Sequence, residues 1–325
     1  MSLFSPIQLL ADWLTSNIFG ITNQYWNSTI NFFIYDTIKI GLLLIVINYI
    51  MAITRFYFPM ERARNILTKK RWFGLNYIMA ALLGIVTPFC SCSSIPLFIG
   101  FLGAGIPLGI TFAFLISSPL INEASLYLFP AMFGWKVTIL YNLFGLAIAI
   151  IGGMLIQKLN LERYVMPELL AFKSRTQVES ENGGKKLTFH KLITYFWKDG
   201  IKITKQIFPY VLLGVGVGAL IHGFIPSDFI GHYLSAKSWW TVPLAVIIGV
   251  PIYAGSVSVI PIMEALVSKG APLGTVLAFM TATVTLSLPE ALILKKIMRW
   301  QLLAIFFGIT TIGIIIMGYL FNIIL

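Results

Sequence analysis

Four stretches of this chain, 37–58, 135–157, 201–225 and 300–325, are apolar over lengths that match a membrane-spanning helix. About 20 helical residues cover a hydrocarbon core of roughly 30 Å. A soluble core has no room for so many long segments that are apolar on all sides, so the chain crosses a membrane repeatedly. Composition supports this: 58% of the 325 residues are hydrophobic and 11% charged, against about 25% charged in soluble domains. Lys and Arg outnumber Asp and Glu by 23 − 12 = 11. Basic loops on the cytoplasmic face explain that excess, and a nucleic-acid partner is not implied. The expected fold class is an all-α polytopic membrane protein with roughly eight to ten membrane segments. Its lipid partner is the bilayer of the cell (cytoplasmic) membrane.

Residues 1–35 contain no Lys or Arg and mix Trp13, Trp26 and Phe33 with polar residues. They lack the basic start of a secretory signal and are expected to remain attached as an interfacial segment.

The chain also repeats itself. A shift of 165 residues places Gly84 on Gly249, Ser91 on Ser256, Ser93 on Ser258, Ile95-Pro96 on Ile260-Pro261, Pro107-Leu108-Gly109 on Pro272-Leu273-Gly274, and Trp135 on Trp300. Upstream, Asp36-Thr37-Ile38-Lys39-Ile40 matches Asp199-Gly200-Ile201-Lys202-Ile203 at a slightly smaller shift. The predicted organisation is repeat 1 over 36–158, a cytoplasmic linker over 159–198, and repeat 2 over 199–325.

Positive charge orients the repeats, because short basic loops stay in the cytoplasm. The loop after the first span carries Arg55, Arg62, Arg64, Lys69, Lys70 and Arg71, whereas its counterpart over 226–240 carries Lys237 alone. Lys295, Lys296 and Arg299 similarly face a counterpart turn bearing Lys136. Matching loops therefore fall on opposite sides, and the two repeats are expected to have inverted topology. Both termini are then outside, while loop 58–71 and linker 158–200 are cytoplasmic. Inverted repeats of this kind occur in many secondary transporters, with the substrate site near the midplane.

Interrupted helices indicate where a solute would sit. Segment 72–104 divides into apolar arms of about 17 and 11 residues around Pro88-Phe89-Cys90-Ser91-Cys92-Ser93-Ser94-Ile95-Pro96, and the shorter arm cannot cross alone. A helical hairpin with an irregular tip fits, provided that tip lines an enclosed or watery cavity. Segment 106–133 is expected to unwind at Ser117-Ser118-Pro119-Leu120-Ile121-Asn122-Glu123. Repeat 2 offers the same two interruptions, around Gly255 to Pro261 and around Thr283 to Glu290. Each repeat then has about three crossings plus a hairpin and a broken helix. Pro88, Pro96, Pro119, Gly255, Pro261 and Pro289 are the expected hinge positions. All four breaks are expected at one depth.

Helix N-termini following Pro96 and Pro261 would direct N–H groups into the cavity, and Ser91, Ser93, Ser94, Ser256 and Ser258, with Asn122, would add polar ligands. Cys90 and Cys92 are too close in sequence for ordinary disulfide geometry. As thiols two positions apart they suit a soft ion or metalloid. Buried cysteine is equally able to act as a small hydrophobe, and repeat 2 has Gly255 and Val257 at those positions. Glu123 and Glu290 follow the second breaks, where a carboxylate is costly and suits proton coupling. Capping of the half-helix each begins is the structural alternative. Glu264 is a further path-lining candidate. His190, His222 and His232 are scattered, and no HExxH, paired CxxC, triad spacing or P-loop occurs. No cofactor or resident metal, no ATP hydrolysis and no enzymatic activity are expected.

The run Thr87-Pro88-Phe89-Cys90-Ser91-Cys92-Ser93-Ser94-Ile95-Pro96, with Pro107-Leu108-Gly109 and Ser117 to Glu123, resembles the predicted permease family that includes ArsP-type organoarsenical efflux permeases and the UPF0718 proteins. The likeness spans both halves. It implies a permease exporting a small thiol-reactive solute such as a trivalent organoarsenical, with Cys90, Cys92 and the neighbouring serines as its contacts. It also implies, as partners beyond the solute, a homo-oligomer or a small membrane accessory subunit. A cysteine-rich cytoplasmic tail, which would strengthen the metalloid reading, is not expected. Two other readings stand beside this one: an anion or sulfur-oxyanion permease using serine hydroxyls and helix ends, and a non-transporting assembly subunit. An intramembrane thiol enzyme would need a general base near Cys90 and Cys92, and none stands close in sequence.

Overall fold

The structure, a computed structural model, describes residues 5–15, 24–57, 67, 74–86, 91–122, 124–165, 238–252, 256–268 and 270–324, with scattered positions between 194 and 219. Among the described residues the chain is helical and forms no strand; Val165 and Met298 meet in an isolated bridge. The helices are α1 (Ser5–Trp13), α2 (Gln24–Tyr57), α3 (Leu75–Val86), α4 (Ser91–Gly103), α5 (Leu108–Leu120), α6 (Phe129–Lys158), α7 (Thr241–Gly249), α8 (Ser256–Ser268), α9 (Leu273–Thr285), α10 (Leu288–Leu294) and α11 (Trp300–Ile324). A π-helical turn, Ala124–Leu128, precedes α6. The spans Ala124–Lys158, Leu273–Leu294 and Trp300–Ile324 are long and apolar enough to cross a membrane.

Two compact units emerge. One comprises residues 1–46, 203–289 and 314–325, the other 47–202 and 290–313. In the second unit α5 is buried at all thirteen positions, as befits a helix apolar on every side. Phe98 and Phe112 meet edge to face at 5.1 Å, as do Phe101 and Phe114, while Phe112 also approaches Phe306 at 5.4 Å. Trp135, Ile139, Leu143, Ile151 and Leu155 on α6 point outward. Such an apolar face suits lipid and not water.

In the first unit α9 takes the buried role. Gln8, Asp12 and Asn31 tie α1 to α2: Gln8 Nε2 donates to Asp12 Oδ1 and Asn31 Oδ1, and Asn31 Nδ2 donates to Asp12 Oδ1 at 2.6 Å. Because α2 runs unbroken from Gln24, the segment boundary drawn at residue 35 falls inside a helix. No proline interrupts 24–57, so nothing in the chain forces a stop there.

The elements recur at the 165-residue shift. α4 ends in a Schellman motif: Ile106 N–H donates to Phe101 O at 3.1 Å and Gly105 N–H to Leu102 O at 3.0 Å. α8 ends likewise, Ala271 donating to Leu266 O at 3.0 Å and Gly270 to Val267 O at 2.9 Å. Gly105 and Gly270 have φ of 80° and 85°, values that cost glycine nothing and other residues much. Pro107 and Pro272 then stand at the N-caps of α5 and α9, where a missing N–H is harmless.

The expected N-termini after the prolines need correction. Pro96 lies inside α4 (Ser91–Gly103). Pro261 likewise lies inside α8, which starts at Ser256. The amides after these prolines belong to continuing helices, not to fresh N-termini. Serines favour helix starts, and within a membrane protein neighbouring groups compensate the carbonyl that each proline leaves bare.

Candidate functional site

Proline at position 119, the penultimate residue of α5, removes one ladder bond. The helix stops at Leu120, and Ile121 N–H still reaches Ser117 O at 2.9 Å. Asn122 then splints the gap. Its Nδ2 donates to Pro119 O at 3.1 Å, and its Oδ1 accepts from Ser125 N–H at 3.1 Å. One buried side chain thus serves the last carbonyls of one helix and the first amides of the next turn.

α6 completes the closure. Ser125 Oγ lies 2.8 Å from Asn122 O and 3.1 Å from Asn142 Oδ1, Asn142 Nδ2 donates to Thr138 O at 2.8 Å, and Tyr141 Oη donates to Leu120 O at 3.2 Å. Gly134, at φ 80° and ψ 164°, separates the short helical piece after the π turn from the long crossing. The expected unwinding of 106–133 is therefore present, at Ile121-Asn122. Local π geometry of this sort is frequent at functional positions.

The break in the other half falls at Leu286-Ser287, between α9 and α10. Leu286 N–H donates to Ala282 O at 2.9 Å, the equivalent of the Ile121 bond. Glu290, fully buried, occupies the first turn of α10. Its register partner at the 165-residue shift is Ser125, and that of Glu123 is Leu288. The two carboxylates are therefore not equivalent positions.

Of the remaining predicted ligands, Ser94 is completely buried and its hydroxyl lies 2.6 Å from Ser118 Oγ, joining α4 to α5. Ser91, Cys92 and Ser93 form the first turn of α4, and Ser256 and Ser258 the first turn of α8. Pro289 is in α10, and Glu264 is exposed on α8. Pro88, Cys90, Glu123 and Gly255 lie outside the described residues. Replacing Ser94 with alanine is expected to cost about 1 kcal/mol by stranding a buried hydroxyl partner, seen as a lower melting temperature in detergent; Ser94→Thr should lose less.

Sequence reasoning overlooked Ser125, Tyr141 and Asn142, and gave Ser118 a place in the break without its partner Ser94. An asparagine within an otherwise apolar crossing was the available signal for Asn142. Among the described residues no three His, Cys, Asp or Glu side chains gather as a metal site.

Long outward-facing apolar helices around buried, interrupted ones define a multi-pass helical membrane protein. The chain belongs to the ArsP_1 family, described as predicted permeases, whose profile matches residues 25–323. UPF0718 protein MJ0584 of Methanocaldococcus jannaschii is 22% identical over 313 residues, 78% of this chain and 86% of that protein. UPF0718 protein YcgR of Bacillus subtilis is 29% identical over 121 residues, 35% of this chain and 40% of that protein. No solved structure matches the chain.

Proposed function

We propose that this permease is a secondary-active exporter of a small thiol-reactive solute of the trivalent organoarsenical type, working by alternating access and driven by protons. Cys90 and Cys92 supply the thiols, with Ser91, Ser93, Ser256 and Ser258 as polar company; Glu123 and Glu290 exchange the proton. The two halves carry inverted topology, with both termini outside and linker 159–198 cytoplasmic. Membership of a permease family supports transport as such. The single observation that favours a coupled carrier is the burial of Glu290 in the first turn of α10, beside a helix break. A carboxylate at that depth is costly enough to imply an ion or proton path, and rearrangement at a break requires no refolding of the long helices.

Isothermal titration of the purified protein with trivalent methylarsenic is expected to show binding that Cys90→Ser/Cys92→Ser weakens by at least about tenfold, or about 1.4 kcal/mol. Unchanged affinity removes the thiols from the mechanism. In proteoliposomes an imposed pH gradient should drive flux, and Glu123→Gln or Glu290→Gln should each abolish that drive. Flux indifferent to both substitutions defeats proton coupling.

A further inference from the structure

Within the unit formed by 47–202 and 290–313, the segment that follows α6 is tied to the turn that precedes α11. Val165 and Met298 pair as an antiparallel bridge, and Arg299 N–H donates to Tyr164 O at 2.8 Å. The spans Ala124–Lys158 and Trp300–Ile324 are both long and apolar enough to cross a membrane. One crossing ends where the other begins, so the join lies at a membrane boundary.

The bridge gathers positive charge there. Over 158–165 and 295–301 the chain carries Lys158, Arg163, Lys295, Lys296 and Arg299 against Glu162, and all six side chains are exposed. Lys158, at the C-terminal end of α6, faces the negative end of that helix's dipole, and Lys296 has a partner within the protein. Lys295 and Arg299 are placed differently. Arg299 O accepts from Leu302 and Leu303 N–H, so this arginine stands at the N-terminus of a 25-residue helix whose first turn holds no acid. Cations at that end are repelled by the helix dipole, whereas an anion is attracted by dipole and side chains together. The fold does not demand this charge, because the equivalent positions 165 residues earlier are Pro130 and Gly134.

The neighbours fix the depth. Trp300 is 65% exposed and Leu159 55%, and exposed tryptophan beside apolar surface is characteristic of the headgroup level of a bilayer. Arg163 stacks on the Tyr164 ring, its Cζ 4.8 Å from the centroid, and donates to Tyr164 Oη at 3.0 Å. A guanidinium held this way keeps further N–H groups for a phosphate, which arginine binds with two parallel hydrogen bonds.

We propose that the join between α6 and α11 binds the phosphate of an anionic phospholipid, with Arg163, Lys295 and Arg299 around the headgroup and Trp300 beside its glycerol backbone. Basic sites between transmembrane helices at a membrane face suit such lipids generally. Occupancy would hold the end of one long crossing against the start of the other. The identity of the transported solute does not enter, so this inference and the exporter reading fail independently.

The test uses the full chain purified in detergent, titrated with dioleoylphosphatidylglycerol or dioleoylphosphatidylcholine in mixed micelles. Thermal melting and native mass spectrometry read the binding. The anionic lipid is expected to raise the melting temperature saturably and to stay bound in the gas phase, the zwitterionic lipid to do neither, and inorganic phosphate alone to have no effect. Arg163→Gln and Arg299→Gln should each raise the half-saturating lipid fraction about fivefold, and the double variant at least about tenfold. Should Arg299→Gln fail to fold, Lys295→Gln carries the same expectation. Lys136→Gln is the control, since Lys136 is exposed next to an exposed tryptophan, Trp135, but near the opposite end of the Ala124–Lys158 span; it should change nothing. Equal stabilisation by both lipids, stabilisation by phosphate alone, or a Lys136→Gln effect as large as that of Arg299→Gln would overturn the site.

Discussion

Replacing Gly274 with valine is expected to prevent the protein from accumulating in folded form. A Cβ at this position would meet Gly318 O and would stand 2.6 Å from Asn322 Oδ1 and 2.7 Å from Asn322 N. Two of those atoms are backbone, so no rotamer change relieves the clash. Overpacking costs about 1–3 kcal/mol where side chains can give way, and a backbone obstacle puts Gly274→Val at the upper end or beyond. Gly109→Val should behave alike, since its Cβ would meet Gly153 O and lie 2.6 Å from Gln157 Cβ. Gly153 and Gln157 stand at the same 165-residue shift from Gly318 and Asn322. Gly308→Ala is the control: nothing among the described residues lies within 4 Å of its added Cβ, and the change should be neutral or stabilising by a few tenths of a kcal/mol. Size-exclusion profiles and melting curves of detergent extracts decide the matter. A Gly274→Val protein with a wild-type profile would mean that α9 and α11 do not pack backbone to backbone.

The same glycines show what the sequence makes legible. Gly105 and Gly270, each two residues before a proline, announce a helix stop and a helix start through turn chemistry that is local. Pro119 announces the first break for the same reason. The start of α4 was less readable, because serine and proline give opposing local signals across Ser91 to Pro96 and only the surrounding packing decides between them. The start of α2 at Gln24 was masked by a polar composition that resembles an interfacial loop, whereas the bonds from Asn31 to Asp12 and Gln8 give those polar groups partners. Ser94, a ligand candidate by its place in the Cys-Ser run, is buried with its hydroxyl against Ser118, and a pairing across 24 residues has no local signal in the sequence. Pairing Glu123 with Glu290 followed from each being a carboxylate near a break; register instead joins Glu290 to Ser125.

Asn122→Leu should cost about 3 kcal/mol and should do so at one place. Leucine has similar volume, so the substitution leaves no large cavity; what it removes is the acceptor for Ser125 N–H and the donor to Pro119 O. Each stranded buried group costs about 1–3 kcal/mol, and the two add because they are backbone groups with no freedom to seek water. Asn122→Ser copies the residue at the equivalent position, Ser287, and separates the two contributions: its hydroxyl can accept from the N–H three residues on, as an N-cap does, but is too short to reach back to Pro119 O. It should recover roughly half of the loss. Asn142→Leu should cost less, about 1 kcal/mol, because Asn142 is only partly buried. Melting temperatures rank the three variants, and amide exchange at Ser125 locates the effect: faster in Asn122→Leu, near wild type in Asn122→Ser. Equal exchange in all three would show that the break is held by the packing of α5 against α6, with Asn122 an onlooker.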